Sequence, residues 1–237
     1  MSLPTRRKFL ALAGLASSAV LASQLRLFAQ ASSPFKLSVI TDEISSDFDH
    51  ACSVASKDFG LHWVELRSLW GTNISDLKAD DVTRAQSILA KYNLRVTDIA
   101  SPLFKVDWPG AARLSSSAKH DSFKATADFN RQDEVLAACV SLAKSFKTDK
   151  IRCFDFWRLA DPAPHRAAID EKLRDAAEIT RKNGIDLILE NEHECNTATA
   201  PEAARLLSAV PILNLNWDPA NAVMAGEHDA FPAGWKL

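Results

Sequence analysis

The sequence predicts an α/β fold with a parallel sheet, and three features of its 237 residues point there. Short apolar runs rich in β-branched residues recur along the chain. Stretches with apolar residues every three or four positions separate them, and carboxylates stand where two of the late runs stop. Alternation of the two periodicities implies right-handed β-α-β units. The carboxyl ends of such strands are where α/β barrels keep their chemistry.

Residues 1–31 read as an address. Thr5-Arg6-Arg7-Lys8-Phe9-Leu10, the apolar run Ala11 to Ala22 and the small-residue site Ala29-Gln30-Ala31 form a twin-arginine export signal, with cleavage expected after Ala31. A membrane anchor is the competing reading, but it needs about 20 apolar residues. The run is shorter and is diluted by Ser17, Ser18, Ser23 and Gln24. The mature chain is expected in the periplasm or outside the cell, with no stable membrane anchor. Without residues 1–31, 24 of the 28 Lys+Arg remain against all 30 Asp+Glu, a net charge of about −6. Such a balance argues against a nucleic-acid partner, whose binding is driven by clustered basic residues.

Strands are expected at Lys36 to Thr41, Trp63 to Leu66, Leu94 to Ala100, Ile151 to Phe154, Ile185 to Leu189 and Ile212 to Leu215. Between them lie helical stripes. Phe48, Cys52, Ala55 and Phe59 form the first, before Gly60; Val82, Ala85, Ile88 and Leu89 the second; Val135, Ala138, Leu142 and Phe146 the third. The longest helix, from about Pro164 to Asn183, carries Ile169, Leu173, Ala176 and Ile179 and stops at Asn183-Gly184. A fifth starts near Thr199-Ala200-Pro201-Glu202, with proline in the first turn. A closed barrel needs eight β/α units and about 250 residues. Residues 32–237 therefore read as one domain, either a barrel truncated after about six strands or an open sheet of different topology. Pro232 to Leu237 looks like the lead-in to another helix and favours truncation.

Cys52, Cys139, Cys153 and Cys195 show neither a C-x-x-C pair nor zinc-finger spacing. Cys139 and Cys153 sit in apolar patterns, so most of the cysteines are expected to be core thiols, a disulfide in an oxidising periplasm being the alternative that the spacing does not demand.

Glu190 and Asp218 close apolar runs at what would be adjacent strand ends, as metal ligands or as acid/base groups. Taken alone, Glu190 is equally readable as a helix-capping partner or half of a buried ion pair. His193 either fixes Glu190, touches a ligand, or lies in a solvated loop. Asn221, one helical step from Asp218, donates within its own turn or reaches a ligand. Glu43 and Glu65 close the first two strands and are expected to form hydrogen bonds at the mouth. Trp70, Phe104, Trp108, Trp157 and Trp217 follow strand ends, where aromatic faces either pack in the core or stack on sugar C–H faces. Arg67 and Arg158 either clamp an anion or pair with nearby acids, Asp155 being a candidate partner. With no G-x-G in the chain, no phosphate-cradling loop is expected.

Thr41-Asp42-Glu43-Ile44-Ser45, Val64-Glu65-Leu66-Arg67, Phe154-Asp155-Phe156-Trp157-Arg158, Leu189-Glu190-Asn191-Glu192-His193 and Asn216-Trp217-Asp218-Pro219-Ala220-Asn221 together resemble the sugar phosphate isomerase/epimerase family with the xylose isomerase-like barrel. The resemblance spans nearly all of the mature chain and implies a (β/α)8 TIM barrel. It also implies one divalent cation, Mn, Mg or Zn, held by acids after strands five and six, a histidine after strand seven and a glutamate after strand eight. Glu190 and Asp218 match the first two, and the last two have no counterpart. Glu190 would then be both ligand and half of the proton-shuttling pair, moving a proton beside a carbonyl through an enediolate. His193, Asn221, Trp157, Arg158, Glu65 and Trp70 would line the subsite for a small sugar or polyol. Two other readings remain: a non-catalytic carbohydrate-binding barrel, and an endonuclease-IV-like phosphodiesterase. The latter is disfavoured because Glu65-Leu66 and Ala100-Ser101 stand where histidines are needed.

Overall fold

The computed structural model describes residues 35–114 and 128–237, so the export signal expected over residues 1–31 lies outside the described residues. Leu37–Leu237 forms one compact unit. Its first element is a single helical turn, α1 (Thr41–Ile44), followed by α2 (Phe48–Ser53), which Asp47 caps by accepting from the amides of Asp49 and His50. Strand β1 (Trp63–Leu66) enters the sheet, and a small antiparallel hairpin, β2 (Ser68–Leu69) with β3 (Thr72–Asn73), follows it. Helix α3 (Ala79–Lys91) leads to β4 (Arg95–Leu103), α4 (Gln132–Phe146) to β5 (Lys150–Cys153), α5 (Arg166–Lys182) to β6 (Asp186–Glu190), and α6 (Ala200–Ala209) to β7 (Asn214–Asn216). The six-residue helix α7 (Pro219–Met224) comes last of the α-helices.

Strands β1, β4, β5, β6 and β7 pair in that order, all parallel, with the long helices as crossovers. The expected strand at 36–41 is reduced to a single parallel bridge, Ile40 to Glu65, because the chain turns into α1 at Thr41. The other five expected strands form within a few residues of their predicted limits. The core lies between sheet and helices: Val64, Leu66, Ile99, Leu103, Ile151, Leu187 and Leu189 meet Cys139, Leu142, Ile169, Leu173 and Leu206. Burial of each large aliphatic side chain is worth about 1.5–3 kcal/mol. All four cysteines are free, buried thiols, as the apolar patterns predict, and burial pushes Cys52 and Cys139 up to about 12.

Two exits from the sheet have unusual backbone. Phe104, just after β4, and Phe156, shortly after β5, take left-handed conformations (φ 65° and 70°), which bulky residues rarely adopt. Their rings lie 5.1 Å apart in the core, and their amides donate to Gln132 Oε1 (2.7 Å) and to the Phe104 carbonyl (2.9 Å). This packing holds the turns that bring Lys105 and Phe154 to the carboxyl edge of the sheet.

Candidate active site at the carboxyl edge of the sheet

The strand ends converge on a cavity of about 270 Å³ lined by Ile40, Glu43, Glu65, Arg67, Lys105, Arg152, Phe154, Glu190, Glu192, Asn216 and Asp218. Five acids and three bases share it. The β6–β7 register sets Glu190 opposite Asn216, so Asp218 follows two residues beyond that pair. Asn191 locks this arrangement. Fully buried, it donates to the Asp218 carbonyl (2.7 Å) and the Ala198 carbonyl (3.0 Å), and its Oδ1 accepts from the Asp218 amide (2.6 Å).

Glu190 is held from both sides. Its Oε2 accepts from Arg152 Nη1 (2.9 Å) and from Asn216 Nδ2 (3.2 Å). Arg152, only 4% exposed, comes from β5 and also donates to the carbonyls of Ala100 (3.0 Å) and Ser101 (3.4 Å). An ion pair this buried fixes geometry more surely than it adds stability. Glu65 accepts from Ser38 Oγ (3.1 Å), the hydrogen bonding expected of it at the mouth. Burial raises its carboxyl above the usual range against the pull of Arg152. Next to it on β4, Asp98 is pushed up to about 7 by burial and by the Glu65 charge, with Arg152 and Thr97 opposing.

Asp218 caps α7: Oδ1 accepts from the amides of Ala220 (2.7 Å) and Asn221 (3.0 Å), and Oδ2 from Asn221 Nδ2 (3.1 Å). Asn221 thus donates within its own turn. His193 Nδ1 faces Asn221 Oδ1 at 3.1 Å and lies 2.6 Å from Glu192 Oε1, but the latter contact lacks hydrogen-bond alignment. Glu192 is tied instead to Lys105, whose Nζ donates to Oε2 at 2.7 Å. Burial works against the Glu192 anion, but Lys105 and His193 outweigh it and hold its carboxyl below the ordinary value.

Glu65, Glu190 and Asp218 therefore meet in one cavity, with His193 and Asn221 in the hydrogen-bonded layer behind Asp218. Trp70, Trp157 and Arg158 are not among the residues lining it. Trp70 packs edge-on against Phe48 (5.5 Å), with Arg84 over its ring (4.2 Å). Trp157 is buried beside Phe154 and Cys195, bridged to Cys195 through its backbone. Arg158 pairs with Glu202 at the start of α6, not with Asp155, whose oxygens accept from the amide (2.9 Å) and hydroxyl (2.6 Å) of Thr197. Arg67 binds Asp42 (2.9 Å) and Glu43 (3.2 Å). No sequence pattern marks a role for Lys105, Arg152 or Asp98, and none for Asn216 or Glu192 beyond their places in the motifs. The available signal was charge inside apolar strands, as in Ile151-Arg152-Cys153 and Thr97-Asp98-Ile99.

The donor set is all oxygen, which suits a hard divalent cation. Glu190 and Asp218 would hold one from the end of β6 and the cap of α7, but among the described residues no group of three or more His, Cys, Asp or Glu side chains stands together as a ligand set.

Parallel β/α units with acids and bases gathered at the carboxyl edge define a barrel-type α/β protein with its site at the strand ends. The chain belongs to the xylose isomerase-like TIM barrel family, which residues 54–236 match. No curated protein matches in sequence. Among solved structures, the chain is similar to the probable 3-DHS dehydratase AsbF of Bacillus anthracis, at 23% identity and TM-score 0.60 over 85% of this chain and 70% of that one. It is similar to a xylose isomerase-like TIM barrel protein from Mycobacterium smegmatis in complex with magnesium, at 15% and 0.54 over 78% and 64%. It is also similar to a D-allulose 3-epimerase from Methylomonas sp. in complex with D-allulose, at 20% and 0.53 over 76% and 59%. The chain thus spans between 59% and 70% of the length of these three structures.

Proposed function

We propose that the protein is a metal-dependent isomerase or epimerase of a free sugar or sugar-like polyol, exported by the twin-arginine route. The observation that supports this most is the meeting of Glu190 and Asp218 in one cavity at the strand ends. Moving a proton between carbons beside a carbonyl needs a positioned base next to the C–H bond. Glu190 supplies it: Arg152 and Asn216 fix its Oε2, which leaves the carboxylate aimed by two donors instead of free to rotate. Asp218, locked by its cap and by Asn191, presents a second fixed carboxylate. A bound Mn, Mg or Zn ion would stabilise the negative charge that develops on the substrate oxygens. The magnesium and sugar complexes among the solved relatives agree with this reading. The acidic balance and the lack of a G-x-G loop support a neutral sugar over a phosphodiester.

Calorimetric titration of the intact protein with Mn tests the site. One ion per chain is expected, weakened at least about tenfold by Glu190→Ala or by Asp218→Ala. Unchanged one-site binding in the double variant would place the metal elsewhere. A non-catalytic sugar-binding barrel is the second reading, supported by the Arg152 guanidinium already seated on Glu190. It predicts sugar binding without turnover at any metal concentration.

A further inference from the structure

Lys105 and Glu192 form a second polar pair in the same cavity, and their surroundings are unlike those of a surface ion pair. Lys105 is 6% exposed and Glu192 8%, yet both line the cavity. Lys105 Nζ lies over the ring of Phe154 at 4.6 Å and within 5.5 Å of the Trp157 ring centroid. It donates to Glu192 Oε2 at 2.7 Å, while Glu192 Oε1 is buried without a hydrogen-bond partner, His193 Nδ1 lying 2.6 Å away outside hydrogen-bond alignment. A buried carboxylate oxygen left unsatisfied is costly unless something at the site donates to it.

We propose that the Lys105–Glu192 pair is a specificity-determining subsite that binds a neutral hydroxyl group of the sugar, Glu192 Oε1 accepting its O–H and Lys105 donating to its oxygen over the apolar floor of Phe154. This rests on the sugar-enzyme reading above and names its substrate class as unphosphorylated. The pair is chosen for a neutral partner because its charges cancel. Lys105 has its charge compensated by Glu192, and an incoming phosphate or carboxylate at the same place would meet Glu192 at close range. A hydroxyl can donate and accept at once, and the pair offers one group of each kind. A site built around a substrate hydroxyl discriminates strongly against ligands that lack it, because its own buried groups are then unpaired.

The test compares the intact Mn-loaded protein with Glu192→Gln and Lys105→Met, measuring calorimetric binding of D-allulose, D-fructose and D-fructose 6-phosphate, with Mn affinity and Tm as controls. The inference expects Glu192→Gln to weaken the neutral ketohexoses by about tenfold or more. The same change removes the negative charge beside Lys105, so affinity for D-fructose 6-phosphate should rise, and the affinities for neutral and phosphorylated sugar should move in opposite directions for one substitution. Lys105→Met should weaken the neutral sugars without that gain. A merely structural pair would lower Tm and move all ligands together. If Glu192→Gln folds, binds Mn normally and leaves the neutral-to-phosphate ratio unchanged, the subsite assignment is overturned while ketose turnover by the wild type still upholds the enzyme reading. If the wild type binds none of the neutral ketohexoses, both fall.

Discussion

Asp98 shows how much of this site is written in single residues. It is 4% exposed; Oδ1 accepts from Thr97 Oγ1 at 3.1 Å, and Oδ2 is buried without a partner. Burial and the Glu65 charge carry its carboxyl up to about 7. A carboxyl raised in the folded state costs nothing below its unfolded value near 3.9, and the cost grows as pH rises toward 7, where it is complete. Wild-type stability should therefore fall across that window through Asp98. Asp98→Asn keeps the shape and removes the titration. The variant should gain on the order of 4 kcal/mol over wild type at pH 8, an advantage that falls to about 1 kcal/mol near pH 4.5. Denaturant melts at both pH values check it, and an advantage independent of pH would mean that Asp98 ionises without penalty. Glu190 and Asp218 were readable in the sequence because a carboxylate at the end of an apolar run stands out. Arg152 and Asp98 were not assigned because they lie inside strands. Whether such a charge is a surface residue on an alternating strand or a buried partner depends on the neighbouring strand, which one chain segment does not reveal.

At the scale of elements, Asp218 caps α7 and, under the proposed function, would also hold the metal, two roles that can be separated. Its Oδ1 caps α7, a role that asparagine fills as well as aspartate, whereas holding a divalent cation needs the charge. Asp218→Asn should leave the unfolding free energy within about 0.5 kcal/mol of wild type, while Asp218→Ala should lose about 1 kcal/mol. Both should weaken Mn binding at least about tenfold. Equal stability of the two variants would show that the cap contributes nothing to the fold. The short helix was not foreseen, although Asp218-Pro219 is a sound helix start: cap, then proline in the first turn. The helical stripes were legible apart from their ends. Phe59 is 59% exposed, although it continues the stripe from Phe48, because the chain widens into a π-turn over Val54–Asp58, with Phe59 N bonded to Val54 O at 3.1 Å. A wider turn rotates a residue placed by the 3.6 period off the buried face. The start of α6 was legible in full detail: Thr199 and Glu202 form a complete capping box with Pro201 in the first turn. That same Glu202 draws Arg158 away from the cavity, a competition between side chains that no local pattern encodes.

For the whole molecule, alternation of strand and helix set the parallel order, since each right-handed crossover leaves little choice of neighbour. The pairing β1-β4-β5-β6-β7 follows chain order once the hairpin is set aside. Under the proposed export, the location of the protein would be set by a different part of the chain. Arg6-Arg7 precedes an apolar run too short and too polar to span a membrane, and no helix among the described residues is long and apolar enough to cross one. A pathway that moves folded proteins suits a barrel whose site is assembled from strands far apart in sequence, because the metal and the fold can be completed before transport. In the proposed route the pair would be read as arginine and not as mere positive charge, since the planar guanidinium makes two directed hydrogen bonds where an ammonium offers a point charge. Replacing Arg6 and Arg7 with lysine preserves charge, hydropathy and every residue of the folded unit. The variant should accumulate in the cytoplasm as uncleaved precursor, with the same metal affinity as the exported protein. Cell fractionation with N-terminal sequencing of the periplasmic product checks both claims. Cleavage at Ala31 in the lysine variant at the wild-type rate would assign export to another route, one that unfolds its cargo, and would move metal loading to the far side of the membrane.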